Sequence, residues 1–266
     1  GDQEYFSDGL SEEILNVLAK VKDMKVAGRT SSFKYKDVRD DLKKIGAELG
    51  VNHILEGSVR KSGNNIRITA QLIKVEDGFH IWTETYDRKY SAENLFKIQD
   101  EISNEVLKEL KVKLLGSDLV NKAVKLPTKN TAAYEAYLKG IQLSRNFQPK
   151  DIEKAIEYFK IAISHDPKFS LAYSRLAISY SDLKRFGSID LQEAMSAIIN
   201  NADKAIFLDK SSGMAQASMA MSYAYQGKLS KALKTLEKAY ELEPNNPKIL
   251  LLYASFSVEN ESLKTE

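Results

Sequence analysis

Residues 213–246 read GMAQASMAMSYAYQGKLSKALKTLEKAYELEPNN. Aligned on Pro244, the residues Tyr223, Ala232, Leu236, Ala239 and Pro244 fall at the spacing of a 34-residue helix-turn-helix unit that starts at Gly213. The pattern recurs upstream. Tyr173, Leu176, Ala177 and Tyr180 occupy the first helix of a unit starting at Ser170, and Ala155, Phe159, Ala162 and Pro167 the second helix of the unit before it. A half-unit from Pro247 supplies Leu250, Tyr253 and Ala254. Small residues sit where paired helices approach closely, and aromatic residues fill the gaps between them. One such pair cannot bury its own apolar face, so neighbouring pairs stack into a solenoid.

Two departures break the period. The first unit carries about three extra residues around Phe147-Gln148-Pro149. From Pro167 to the corresponding Lys210 is 43 residues, against 34 from Lys210 to Pro244. The insertion around Phe186–Gln192, with Lys210 in place of a proline, is expected to lengthen or splay that helix pair.

The rest of the chain frames these repeats. Its 266 residues are 43% apolar and 29% charged, enough for about two domains. Residues 1–130 hold 22 Lys and Arg against 21 Asp and Glu, and the remainder 17 against 16. Balance in both halves argues against a basic nucleic-acid arm, a polybasic membrane anchor or an acidic tail. No apolar run approaches the ~18 residues of a membrane span, and no signal-peptide pattern opens the chain. With no cysteine, disulfide scaffolds, thiol catalysis and Cys-ligated zinc are excluded.

The first half mixes periods. Ser11-Glu12-Glu13 is expected to cap a helix with the stripe Ile14, Leu15, Leu18 and Val21. Met24–Gly28 reads as a short strand, and a second helix spans about Asp40 to Leu49, ended by Gly50. Three strands follow, Val51–Lys61, Ile66–Val75 and Phe79–Tyr86, joined by turns at Gly63-Asn64-Asn65 and Asp77-Gly78. Ile66, Ile68, Ala70 and Leu72 alternate with Arg67, Thr69 and Gln71, so one sheet face is buried. A long helix from roughly Asn94 to Leu115 carries Leu95, Ile98, Ile102, Val106, Leu110 and Leu114 to cover that face. The expected architecture is an α+β domain over 1–116, with a mixed sheet and about three helices. A linker over 117–130 follows, near Pro127, and then an all-α solenoid over 131–266 with about three and a half repeats.

The residues quoted for the second half resemble tetratricopeptide repeats, the unit at Gly213–Asn246 most specifically. In the first half, Tyr5-Phe6-Ser7-Asp8-Gly9-Leu10-Ser11-Glu12-Glu13-Ile14, Arg29-Thr30-Ser31-Ser32-Phe33, Leu55-Glu56-Gly57-Ser58-Val59-Arg60 and Trp82-Thr83-Glu84-Thr85-Tyr86-Asp87-Arg88 resemble the TolB amino-terminal-like domain. The resemblance implies a bacterial signalling or regulatory protein whose output domain is an adenylate cyclase, a winged-helix regulator or a kinase. That family begins with an apolar strand upstream of the Tyr5-Phe6 motif, which this chain does not include. The expectation is a segment from the middle of a longer protein, truncated at both ends.

Chemistry is sparse. His53, His80 and His165 form no metal-ligand spacing, so no metal, cofactor or catalytic residue is assigned. His165 precedes Asp166-Pro167 at an inter-repeat turn, a structural position. No phosphate-binding glycine loop and no GxSxG elbow is present. Arg29, Thr30 and Ser31 after a strand form a candidate anion site; the competing reading pairs Arg29 with a carboxylate such as Glu56 and uses the hydroxyls to hold a turn. The basic excess over residues 20–39 lacks interleaved aromatics beyond Phe33 and Tyr35 and reads as a solvated face.

By resemblance, positions 2, 5, 9 and 12–13 of each first helix line a groove. These are Leu171, Ser174, Ile178, Ser181 and Asp182 in one unit, and Met214, Ala217, Met221, Ala224 and Tyr225 in the next. An apolar, Met-containing groove suits an amphipathic partner segment. The competing reading has it covered by the chain's own helices or by a second copy. The expected function is a non-catalytic interaction or sensory module that binds a protein partner or self-associates, without nucleic acid and without membrane insertion. The alternative is a small-molecule receptor for an anion or nucleotide. Cytoplasm and periplasm both fit, with the cytoplasm preferred.

Overall fold

Phe6, Leu10, Ile14 and Leu18 recur every fourth residue and all four are buried, so one stripe runs the length of helix α1 (Glu4–Leu18). The computed structural model describes residues 4–18, 24–36, 38, 41–110, 127–244 and 246–262. It divides into two units, Gly1–Lys125 and Leu126–Glu266.

In the first unit α1 begins well before the expected cap. Ser11 lies inside the helix and its hydroxyl donates to the Ser7 carbonyl at 2.9 Å, a bond to the preceding turn rather than a cap. The stripe from Phe6 overrides the local capping signal; Val21 lies outside the described residues. Met24–Gly28 is not a strand. It is irregular chain that leads into a single helical turn, α2 (Arg29–Ser32), and a 3₁₀ turn over Phe33–Tyr35. Helix α3 (Leu42–Leu49) is capped by Asp41, whose carboxylate accepts from Lys43 N, and ends at Gly50 in the left-handed region.

The sheet is β1 (His53–Ser62), β2 (Asn65–Lys74) and β3 (His80–Lys89), in that order. Both pairings are antiparallel, so the mixed sheet becomes an antiparallel meander among the described residues. Strand β1 pairs Ser62 with Asn65, leaving a two-residue turn at Gly63-Asn64. Ile66, Ile68, Ala70 and Leu72 are buried as the alternation requires. Gly57 lets the two backbones approach: a Cβ there would stand 2.2 Å from the Thr69 carbonyl oxygen. Helix α4 (Ala92–Glu109) is capped by Ser91 and buries Leu95, Ile98, Ile102 and Val106 against α1 and β3. Its expected continuation to Leu115, and the linker up to residue 126, lie outside the described residues.

The second unit is helical. Its elements are α5 (Thr131–Ser144), α6 (Pro149–His165), α7 (Ser170–Arg185), α8 (Leu191–Leu208), α9 (Gly213–Tyr225), α10 (Leu229–Leu242) and α11 (Pro247–Ser262). The pairs are α5/α6, α7/α8 and α9/α10, with α11 added after them, and the first helices α5, α7, α9 and α11 touch in series. Ala155, Ala162, Ala177, Ala202, Ala205, Ala220, Ala232 and Ala239 are fully buried where helices meet. Gly140 serves the same need, since a Cβ there would sit 2.6 Å from the Phe159 ring. The inserted pair is longer, as expected: α7 and α8 have 16 and 18 residues, against 13 and 14 for α9 and α10.

One closure repeats in each pair. The start of the first helix is tied to the end of the second by Asn130 Nδ2 donating to the His165 carbonyl at 2.9 Å, Ser170 Oγ donating to Ala205 at 3.0 Å, and Gly213 N donating to Glu243 Oε1 at 2.9 Å. In each tie a side chain of one element meets a backbone group near the helix end of the other, and His165 contributes its carbonyl at the inter-repeat turn.

Candidate functional site

Arg29 does not sit after a strand. In α2 its guanidinium lies 3.3 Å from Glu12 and 3.9 Å from Asp8, and 4.0 Å over the Phe33 ring. Lys36 reaches Glu4 at 2.6 Å and Asp8 at 2.7 Å. Glu4, Asp8 and Glu12 recur every four residues on α1, so one acidic stripe receives both cations. Burial acts to lower Lys36, but its hydrogen bonds to Asp8 and Glu4 outweigh this and raise it. The partner of Arg29 is therefore α1; Glu56 instead accepts from Gln71. Thr30 and Ser31 are exposed, Ser31 N donates to the Gly28 carbonyl at 3.0 Å, and Ser32 Oγ donates to Ala27 and Gly28. The turn is held by the Ser31 backbone N–H and the Ser32 hydroxyl.

The residues expected to line a groove in the repeats are mostly interior. Ser174, Ile178, Ser181 and Asp182 on α7, and Met214, Ala217 and Met221 on α9, are buried; Leu171, Ala224 and Tyr225 are half-buried. Ile178, Met214, Ala217 and Met221 share one apolar cluster with Ile249 and Leu252 of α11, and Leu171 and Tyr225 pack against it. Tyr225 and Ser181 join their hydroxyls at 3.2 Å. The open groove becomes a seam between first helices because α11 supplies its own apolar residues to it. Of the two readings, coverage by the chain's own helices describes this surface.

A charged pair lies beside that seam. Lys248 Nζ of α11 stands 3.2 Å from Asp182 Oδ2 of α7, and both side chains are largely shielded, at 21% and 8% exposure. Burial pushes the Lys248 ammonium below its ordinary range, and Asp182 only partly offsets this.

The two loops that broke the sequence period come together. Phe147, between α5 and α6, and Phe186, after α7, meet edge to face with ring centroids 5.0 Å apart. Both rings stay exposed, at 39% and 40%. Phe147 has φ of 51°, and among the described residues it is the one non-glycine in that region. The Arg185 guanidinium lies 5.9 Å from the Phe147 ring. The extra residues signalled this feature in the sequence, but the proximity of two loops 39 positions apart required the stacking of the pairs.

A second cluster went unread in the sheet. Arg60 pairs with Arg67 and Arg67 with Asp87 across the three strands. Arg67 is bidentate on Asp87, at 2.7 Å from Nε and 2.9 Å from Nη2. That hydrogen bond holds Asp87 below, and Arg67 above, its ordinary value. His53 and His80 begin β1 and β3; His80 Nδ1 lies 3.1 Å from Thr83 Oγ1. Among the described residues no three His, Asp or Glu side chains group as a metal site, and no helix is long and apolar enough to cross a membrane.

Comparison with known proteins adds the following. Residues 214–256 match the tetratricopeptide repeat family model. The curated putative adenylate cyclase 3 of Rhizobium meliloti (strain 1021) is 31% identical over 232 residues, 87% of this chain and 39% of that protein. The chain therefore spans about two fifths of that relative's length. Among solved structures, the first tetratricopeptide domain of Spaghetti (RPAP3) bound to an HSP90 peptide is 20% identical, covering 51% of this chain and 98% of its own, with a TM-score of 0.39. The Arabidopsis OM64 tetratricopeptide domain is 19% identical, covering 48% and 95%, with a TM-score of 0.37. The second unit of this chain thus contains a tetratricopeptide repeat at residues 214–256, within a stack of helix pairs.

Proposed function

We propose that this chain is a non-catalytic interaction segment of a larger bacterial signalling protein, in which the helical stack docks a protein partner or a second copy of itself. The first unit is, on the same proposal, a TolB amino-terminal-like domain that accompanies the repeats. The observation that carries the reading is the stack of helix pairs with its matched repeat. The name of the Rhizobium relative supports a signalling context. Because the seam residues are interior, docking uses an outer edge, and the exposed Phe147–Phe186 pair is the best-defined one. An aromatic pair flanked by a guanidinium has the composition of an interaction hot spot.

Photo-crosslinking tests this. A benzoylphenylalanine at position 147 or 186 of the full-length protein, irradiated in the producing cells, is expected to form adducts with one protein, either a partner or a second copy. Controls at the exposed Ile161 and Phe207 are expected to form none. No adduct at either loop position, or the same adducts at the controls, overturns the assignment.

A further inference from the structure

We infer that the free edge of β3 is an interface for a second copy of this chain, which adds its own β3 antiparallel about Tyr86. In the order β1, β2, β3 this strand is terminal, with a neighbour on one side among the described residues. Thr83, Glu84, Thr85, Asp87, Arg88 and Lys89 are exposed, and Tyr86 between them is buried.

The backbone of this edge is set for pairing. Tyr90 N donates to the Asn64 carbonyl at 2.9 Å, so alternate residues back from Tyr90 bond to β2. The N–H and C=O groups of Thr83, Thr85, Asp87 and Lys89 therefore point away from the sheet. Such a row is a template for another strand.

The side chains select the occupant. Trp82, Glu84, Tyr86 and Arg88 share the face of Ile66, Ile68, Ala70 and Leu72. With the two-fold axis at Tyr86, that residue meets its own copy on this face. Glu84 then stands opposite Arg88 and Trp82 opposite Tyr90, each twice by symmetry. Opposite charges and aromatic pairs directly across two strands both stabilise the pairing. On the other face Thr85 meets Asp87 and Thr83 meets Lys89, with no like charges opposed. Other registers do worse. An axis at Glu84 or Asp87 sets two carboxylates against each other, one at Arg88 sets two guanidiniums, and one at Thr85 loses both charge pairs. An axis between two residues brings the buried face of one sheet to the polar face of the other.

The two charges are placed for this role. Glu84 is exposed although it shares the inner face, and among the described residues no cation of its own chain pairs with it. Arg88 lies 3.6 Å from Glu101 at 45% exposure, and its guanidinium keeps donors for a second carboxylate. Asp87, by contrast, is committed to Arg67. A two-fold pairing uses this edge on both copies, so it closes at two. One strand edge is a small surface, which makes the association weak and concentration-dependent. This interface lies in the first unit and does not rest on docking by the repeats.

Sedimentation velocity of the whole chain across the micromolar range tests the pairing. The wild type is expected to pass from monomer to dimer without larger species. Glu84→Arg and Arg88→Glu each set like charges opposite one another and are each expected to weaken the dimer about tenfold. Mixing the two variants is expected to restore association, because each supplies the charge that the other lacks. A dimer that neither variant weakens is assembled through another surface and overturns the inference. A chain that stays monomeric throughout leaves the edge to another segment or another protein, and overturns it as well. So does a mixture that associates no better than the variants alone.

Discussion

Lys248 of α11 reaches back past α9 to place its ammonium 3.2 Å from the carboxylate of Asp182 in α7, two repeats upstream. The pair locks the last helix onto the seam that Met214, Met221, Ile249 and Leu252 fill. Removing one partner leaves the other charge shielded and uncompensated. Asp182→Ala is therefore expected to destabilise the chain by roughly 3 kcal/mol, and the double variant Asp182→Leu/Lys248→Met to recover most of that. Urea unfolding of Asp182→Ala, of the single variants Asp182→Leu and Lys248→Met and of the double variant checks the pattern; equal losses in singles and double refute the coupling.

The same pair fixes a pH dependence. Burial lowers the folded-state value of Lys248 below its ordinary 10.5. Between the lowered value and 10.5 the unfolded chain binds more protons, so the contribution of this lysine to stability rises with pH. The unfolding free energy of the wild type, relative to Lys248→Met, is expected to increase across that window. Denaturation of both proteins at a series of alkaline pH values measures it, and a flat or falling difference contradicts the burial of the ammonium.

Gly140 faces the buried Phe159 ring across the α5/α6 crossing. Glycine to alanine in a helix ordinarily gains up to about 1 kcal/mol. Here the added methyl would stand 2.6 Å from a fully buried ring, so Gly140→Ala is expected to cost about 1–3 kcal/mol instead. Pairing it with Phe159→Leu tests the cause, because the smaller side chain is expected to remove the clash. The readout is the urea midpoint of each variant.

Phe147 presents a different balance. Its φ of 51° favours glycine, and a strained residue there costs about 1–3 kcal/mol, while its ring pair with Phe186 returns about 0.5–1.5 kcal/mol. Phe147→Gly is therefore expected to leave stability unchanged or to raise it, and to abolish capture by whatever protein crosslinks at this edge. Loss of stability by more than about 1 kcal/mol indicates that the loop is structural rather than a docking edge.

How far the sequence reached depends on what each feature rests on. The repeat pairs were legible because every crossing demands small residues at fixed intervals, and Ala155, Ala162, Ala232 and Ala239 keep them. The strands were legible from alternation. Helix α1 was misread at its start because Ser11 resembles a cap locally, whereas the stripe from Phe6 governs. The burial of the seam residues was not legible for a different reason. A position number tells which way Met221 points, but not that Ile249 and Leu252 arrive to cover it. The row Arg60–Arg67–Asp87 becomes visible only once the two-residue turn at Gly63-Asn64 sets the register.

The ties from Asn130 to His165, Ser170 to Ala205 and Gly213 to Glu243 close each helix pair into a ring of chain some 30 to 35 residues around. Such rings are links rather than a rod. Each tie closes one helix pair on itself, so loss of a tie is expected to loosen its own pair before its neighbours.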